Sequence, residues 1–213
     1  MLKFDTVVIG KGLVGSAAAK YLSLAQENVA IIGPDEPNNP HEAIVFSSHY
    51  DSGRVQRQIG RNDTMTQLNL DAHEHYPWLE KESGISFQGK TGCLYVNPRG
   101  MDEYLESAPN RIKKHGTKAQ FFNSAEILNA SFPEFHFPDD SVGMFEDAPS
   151  GHINPRRLIQ AQLVVFEKNN GTIFREYVRE IDYKANSVII TTNNNLEIEA
   201  KRVLVATGAF TNL

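Results

Sequence analysis

The chain has one cysteine, Cys93, among 213 residues, so no internal disulfide can staple it. It has no basic block either. Lys and Arg number 21 against 26 Asp and Glu, a net charge of −5, and the electrostatic footprint of a nucleic-acid partner is missing. Long apolar runs are absent: the stretch of small apolar residues Gly12 to Ala19 lies between Lys11 and Lys20 and falls far short of the roughly 20 residues that cross a bilayer. Asp5 sits where a secretory signal needs an apolar run, which sets the expectation of a cytoplasmic protein with no membrane partner. Repeats and low-complexity tracts are also missing, and 40% hydrophobic with 22% charged residues describes an ordinary globular chain.

Two candidate chemistries fall away next. Cys93 lies in Thr91–Val96, which reads as a strand, and no His or Asp is spaced around it as in a thiol enzyme, so its expected role is that of a small buried hydrophobe. The seven histidines show neither the i, i+4 pair with an acid nor a cysteine partner, and no metal site is expected.

The first thirty-five residues are informative. Asp5–Gly10 is a short run rich in β-branched residues; it feeds Gly10-Lys-Gly12-Leu-Val-Gly15, after which Ser16–Gln26 carries Ala17, Ala18, Ala19, Leu22 and Leu24 at helical density. A second apolar run, Val29–Ile32, completes a βαβ unit of the length a right-handed crossover needs. Gly10 serves the tight turn, Gly12 the approach of a pyrophosphate, and Gly15 the close packing of helix on strand, with the helix N-terminus facing the phosphates. A dinucleotide site is therefore expected. The acid that would meet the adenosine ribose at the end of the second strand is replaced by Gly33, followed by Pro34, Asp35 and Glu36. No Lys or Arg lies between Lys20 and Arg54 to meet a 2′-phosphate, so the expectation is an unphosphorylated ribose met by Asp35 or by backbone groups. Arg54 and Arg57 are three apart and share a face if their segment is helical.

Downstream, Gly151-His-Ile-Asn-Pro155 opens a helix running to Asn169, with Asn154 as cap. Thr172–Tyr183 and Ser187–Thr192 form a hairpin, and Asn195–Gly208 reads as a strand pair ending in a small-residue turn. Between the nucleotide-binding halves, a helix over Asn62–Ser83, strands near Ile85–Val96, a helix over Met101–His115 and a strand at Ala119–Asn123 form an insertion.

The ordered combination of the N-terminal glycine motif, Arg54-Val-Gln-Arg57, Gly151–Pro155 and Val203-Leu-Val-Ala-Thr-Gly208 resembles the FAD-dependent D-amino-acid oxidase and sarcosine oxidase superfamily, nearest its sarcosine-oxidase-like branch. The resemblance implies an α/β fold: a Rossmann-like FAD-binding domain, residues 1–78 and 145–213, with an inserted, incomplete α+β substrate domain at 79–144. It implies that Gly10, Gly12, Leu13, Val14 and Gly15 hold the FAD pyrophosphate, with Ala206, Thr207 and Gly208 on the other side. Val178 would contact adenine through its backbone, and Ser47, Ser48 and His49 would line the ribityl chain and flavin. Arg54 would lie near the isoalloxazine, and Arg57 would grip a substrate carboxylate, for which a planar bidentate guanidinium is suited.

The implied reaction is oxidation of a C–N bond in a small amine or amino acid, with molecular oxygen or another electron acceptor. Family members continue past the Thr207-Gly208 turn for a comparable length, so the sequence reads as an N-terminal half, incomplete alone, with a C-terminal half or a second copy as the implied partner. Two other readings stay open: a nicotinamide-dependent dehydrogenase, which would continue in parallel strand-helix alternation, and a noncatalytic half of a split flavoprotein.

Overall fold

The computed structural model describes residues 1–211. The chain divides into two compact units, one of Met1–Ser52, Leu79–Ser86 and Pro155–Leu213, the other of Gly53–Trp78 and Phe87–Asn154. In chain order the first elements are β1 (Leu2–Ile9), α1 (Leu13–Leu24) and β2 (Val29–Ile32). There follow β3 (Arg54–Gln56), α2 (Asp63–Ser83), β4 (Gln88–Gly89), β5 (Cys93–Pro98), α3 (Glu103–Glu106), α4 (Ala108–His115), β6 (Gln120–Phe122), α5 (Ala125–Ser131), β7 (Ser141–Glu146) and β8 (Gly151–Ile153). The last are α6 (Pro155–Lys168), β9 (Thr172–Phe174), β10 (Val178–Tyr183), β11 (Val188–Thr192) and β12 (Glu197–Val205). Among the described residues no helix is long and apolar enough to cross a membrane.

The first unit is built on a six-stranded sheet in the order β10-β11-β12-β1-β2-β9. β1 runs parallel to both β2 and β12, with Val7 opposite Ala30 on one side and Val203 on the other. A strand buried on both faces needs apolar residues in succession, and Val7, Val8, Ile31 and Ile32 supply them. Period-two alternation sorts them. Val7, Ile9, Ala30 and Ile32 join Ile190, Ile198 and Ala200 in one cluster, while Val8, Val29 and Ile31 meet Ala19 of α1 and Phe166 of α6 in another. Each fully buried aliphatic side chain contributes about 1.5–3 kcal/mol.

Two expectations for this unit change. Thr172–Tyr183 is not one strand: β9 pairs in parallel with β2, β10 pairs antiparallel with β11, and the two end on opposite edges of the sheet. Asn195–Gly208 holds one strand rather than a pair. Glu197–Val205 contains no turn residue, and it lies between two partners, β11 along Glu197–Ala200 and β1 along Ile198–Val205, with Ile198–Ala200 paired on both sides.

The second unit has two three-stranded sheets, β3-β8-β4 and β5-β7-β6. Its core gathers Ile59, Tyr104, Leu105, Ala108, Val142 and Met144. Arg54–Gln56 is a strand paired with β8, so the conditional helix at Arg54–Arg57 does not form; in extended backbone residues three apart face opposite sides. The expected helix over 101–115 breaks into α3 and α4 at Ser107, since Pro109 in the first turn of α4 has no N–H to continue the earlier ladder. β7 was not foreseen, and Gly151–Ile153 is a strand instead of the opening of a helix. The boundaries of the units also differ from a division at 78 and 145. Residues 53–78 belong with the second unit and 79–86 with the first.

One buried carboxylate organises the second unit. Glu146, 1% exposed, accepts from the Ile59 N–H at 3.0 Å, the Gln58 N–H and the Ser150 hydroxyl at 2.7 Å. Removal would strand three donors, at roughly 1–3 kcal/mol for each left unsatisfied.

Lys20 in α1 is 2% exposed, and its ammonium lies 3.8 Å from the centre of the Tyr21 ring. Burial pushes its pKa from 10.5 down to about 8. Below pH 8 the folded state therefore carries a desolvated charge, and between 8 and 10.5 the unfolded chain binds the extra proton, so this penalty fades as pH rises. Lys20→Met is expected to stabilise the protein by about 1–3 kcal/mol at pH 7, and the gain should shrink toward pH 10, as read from urea unfolding at the two pH values.

Candidate functional site

α1 begins without a side-chain cap. Gly12 occupies the cap position, and the first turn holds no acid to offset the positive end of the helix dipole. The buried Ser16 hydroxyl instead donates back to the Gly12 carbonyl at 2.7 Å, which leaves the outward end of the helix to whatever approaches. Val14 in that turn is 73% exposed.

The glycines have separate reasons. A Cβ on Gly15 would lie 1.8 Å from the Gly10 carbonyl oxygen, and one on Gly10, at φ +106°, would lie 2.4 Å from the Ala206 oxygen. These two are required by backbone packing. At Gly12 the backbone is extended, and an added Cβ would meet only Ser47 Oγ at 3.6 Å, so nothing inside the protein demands glycine there. Its lack of a side chain keeps open space in front of an uncapped helix end.

The other expected cofactor residues of the first unit gather around this point. The Ala206 N–H donates to the Ile9 carbonyl at 2.7 Å, which sets Ala206–Gly208 directly beside the glycine turn. Phe46 and Phe210 pack edge to face at 5.0 Å and fasten the loop of Ser47, Ser48 and His49 to the Gly208–Phe210 turn. His49 packs against Tyr50 with ring centres 4.7 Å apart. Val178 is different: its side chain enters the Val7–Ile32 cluster, and its place is the edge strand β10.

Asp35 sits in a charge network that sequence spacing did not reveal. Lys11, 8% exposed, donates to the Asp35 carboxylate, and Arg175 Nε lies 3.1 Å from the other oxygen. Arg156 makes a bidentate pair with Glu36 at 2.8 and 2.6 Å, which holds the Glu36 carboxyl below its usual range. Three basic residues thus surround the loop in which no nearby Lys or Arg was expected. Lys11 lies 24 positions away in sequence, Arg156 and Arg175 more than a hundred. The only local signal was a basic residue inside the glycine motif. These groups line a cavity of about 410 Å³ that also takes in His49 and Leu163.

Arg54 and Arg57 belong to the second unit. The Arg57 guanidinium stands over the Tyr104 ring at 5.1 Å, and Arg111 lies 5.4 Å from the same ring. Tyr104 donates to the Ile59 carbonyl at 2.9 Å, and burial pushes its phenol up to about 12, so it stays neutral beneath the cation. Tyr104 went unnoticed because its role depends on tertiary contact. Cys93 in β5 is half-buried where a buried residue was expected; burial still raises its thiol pKa and disfavours the thiolate. A wider depression of about 560 Å³ in the same unit is lined by residues including Asp63, Asp102, Glu103 and Arg111; Asp63 is engaged with Lys114 and His115 and Asp102 with Tyr95.

Comparison with known proteins agrees with this geometry. N-methyl-L-tryptophan oxidase of Yersinia pestis is 26% identical over 212 residues, 98% of this chain and 54% of the relative. The chain spans about half the length of the curated relatives it matches. Among solved structures, NikD, an unusual amino acid oxidase essential for nikkomycin biosynthesis, superposes with a TM-score of 0.78 at 20% identity over 100% of this chain and 53% of that one. L-proline dehydrogenase from P. horikoshii gives 0.74 at 21% identity, over 97% and 53%. Both likenesses are in fold. Residues 5–213 match the family described as FAD dependent oxidoreductase, and the chain belongs to that family, DAO.

Proposed function

We propose that the chain binds FAD through its first unit and serves in oxidation of a C–N bond of a small amine or amino acid. The observation that supports this best is the uncapped, open end of α1 at Gly12, set beside the Ala206–Gly208 turn. The residues fit the cofactor: N–H groups at a helix end suit a pyrophosphate, and only a missing Cβ at Gly12 keeps the approach clear. The antiparallel run β10-β11-β12 favours this reading over a nicotinamide dehydrogenase, which would continue in parallel strand-helix alternation.

In this reading the first unit is the cofactor domain and the second begins the substrate domain. Gly10, Gly12, Leu13, Val14 and Gly15 hold the pyrophosphate with Ala206, Thr207 and Gly208. Ser47, Ser48 and His49 line the ribityl chain, and the Val178 backbone meets adenine. When bound, FAD would supply the acceptor for a hydride equivalent, with oxygen or another acceptor as the final oxidant. The protein's share is placement and charge. Arg57, placed over the Tyr104 ring, takes the role of gripping a substrate carboxylate, and Arg54 contributes positive charge near the flavin. The lone cysteine, held as a thiol by burial, suits a cytoplasmic setting.

Flavin fluorescence quenching tests the binding half of this proposal: FAD is expected to bind the chain at least about tenfold more tightly than FMN, which lacks the adenosine contacts, and equal affinities would overturn it. Gly12→Ala should change unfolding free energy by under about 1 kcal/mol yet weaken FAD binding about tenfold or more, whereas Gly15→Ala should cost about 3 kcal/mol or more in stability by clash with Gly10. In an active FAD-loaded preparation, Arg57→Met is expected to raise KM for a carboxylate substrate about ten- to a hundredfold while flavin content is unchanged. Unaltered steady-state kinetics would remove Arg57 from that role.

A further inference from the structure

We infer that the depression of about 560 Å³ on the second unit is a binding site for a free amino acid in its zwitterionic form, with Arg111 and Arg61 taking the carboxylate and Glu103 the ammonium. The inference goes beyond the FAD reading, in which none of these three residues has a part.

Arg111 is the observation that calls for a ligand. It is 8% exposed, and a guanidinium so far removed from water ordinarily has a carboxylate beside it. Among the described residues it has none. Nη1 donates to the Ser107 hydroxyl at 2.7 Å, Nη2 donates to the Tyr104 carbonyl, and the Tyr104 ring lies 5.4 Å away. A guanidinium carries five N–H donors, and Nε meets no acceptor at all. Arg111 therefore brings an unanswered charge, with donor capacity to spare, to the wall of a cavity.

The rest of the wall sorts by what each group already holds. Asp63 pairs with Lys114 and His115. Asp102 accepts from the Tyr95 hydroxyl at 2.8 Å, the Tyr104 N–H at 2.9 Å and Asn97 Nδ2 at 3.1 Å, and these donors, Tyr95 foremost, hold its carboxyl below the usual range. Neither acid needs a ligand. Arg61 and Glu103 differ: both are exposed, and among the described residues neither side chain makes a hydrogen bond or an ion pair.

Two guanidiniums and one carboxylate thus remain unpaired around one cavity, too far apart to pair with each other. With Asp102 counted, the signs balance, so a bare anion or a bare cation meets as much repulsion as attraction. A solute that carries both signs gains from both, and the guanidinium is the matching partner for its carboxylate. The amides of Asn62 and Asn110 complete a polar wall, and the volume is that of a small-molecule site. Tyr104 is common to Arg111 and Arg57, so the site lies one side chain away from Arg57.

Calorimetric titration of the 213-residue chain with L-alanine, propionate and ethylammonium tests the inference. L-alanine is expected to bind at least about tenfold more tightly than propionate, which lacks the ammonium, or ethylammonium, which lacks the carboxylate. Glu103→Gln should weaken L-alanine about fivefold or more and leave propionate unchanged, whereas Arg111→Gln should weaken both about tenfold. Arg61→Gln, at an exposed position, is expected to weaken both as well and carries the carboxylate test if Arg111→Gln does not fold. Arg57→Met should leave L-alanine affinity as it was. Absence of L-alanine binding, equal affinity for L-alanine and propionate, or L-alanine binding untouched by Glu103→Gln and Arg61→Gln would overturn the inference. Loss of L-alanine binding in Arg57→Met would overturn it too, by assigning the solute to the carboxylate grip of Arg57, and would leave the FAD reading standing.

Discussion

The first unit depends on a backbone-to-backbone approach. The carbonyl ends of β1 and β12 and the start of α1 converge until Gly10, Gly15 and Ala206 touch with no side chain between them. Parallel pairing of β1 with β12 carries the later turn to the earlier one, although some 190 residues separate them in sequence. Everything charged or polar at this end of the sheet is arranged around that contact. The helix end is open because Gly12 leaves it open, and Lys11 packs closely on Gly33 at the start of the acidic loop.

Residues 5–32 were legible because local chemistry and tertiary role coincide there. The apolar runs that form β1 and β2 are also the buried centre, and the glycines that make the turn also permit the packing. The β10–β11 hairpin was legible for the same reason, with Lys184-Ala-Asn186 between two β-rich runs. Legibility fell where a segment takes its structure from a distant partner. β3 and β8 are three residues each and exist because they pair with one another, so neither Arg54–Gln56 nor Gly151–Ile153 shows a periodicity of its own. β12 is flanked by β11 and β1 and continues along β1 beyond the end of β11, and a reader of local pattern divides it in two.

The candidate site divides along the same line. Gly10, Gly12, Gly15 and the Ala206–Gly208 turn follow from a contiguous motif and a recognisable ending. The partners of Asp35 and Glu36 do not, since Arg175 and Arg156 reach them only after β9 and α6 have packed against β2. The stacking of Arg57 on Tyr104 depends likewise on α3 lying over the second unit's core. The family resemblance identified the arginine and missed the surface that holds it, because aromatic contact leaves no mark in the 46 intervening positions.

Glu146 ties together backbone at Gln58 and Ile59 and a hydroxyl at Ser150, so segments nearly ninety positions apart share one buried anchor. Loss of either segment from its place exposes the carboxylate and releases the other. Amide hydrogens near 58–59 and around 146–150 therefore belong to one cooperative opening unit, and solvent exchange at these two short stretches should rise and fall with a common protection factor rather than as separate loop fluctuations.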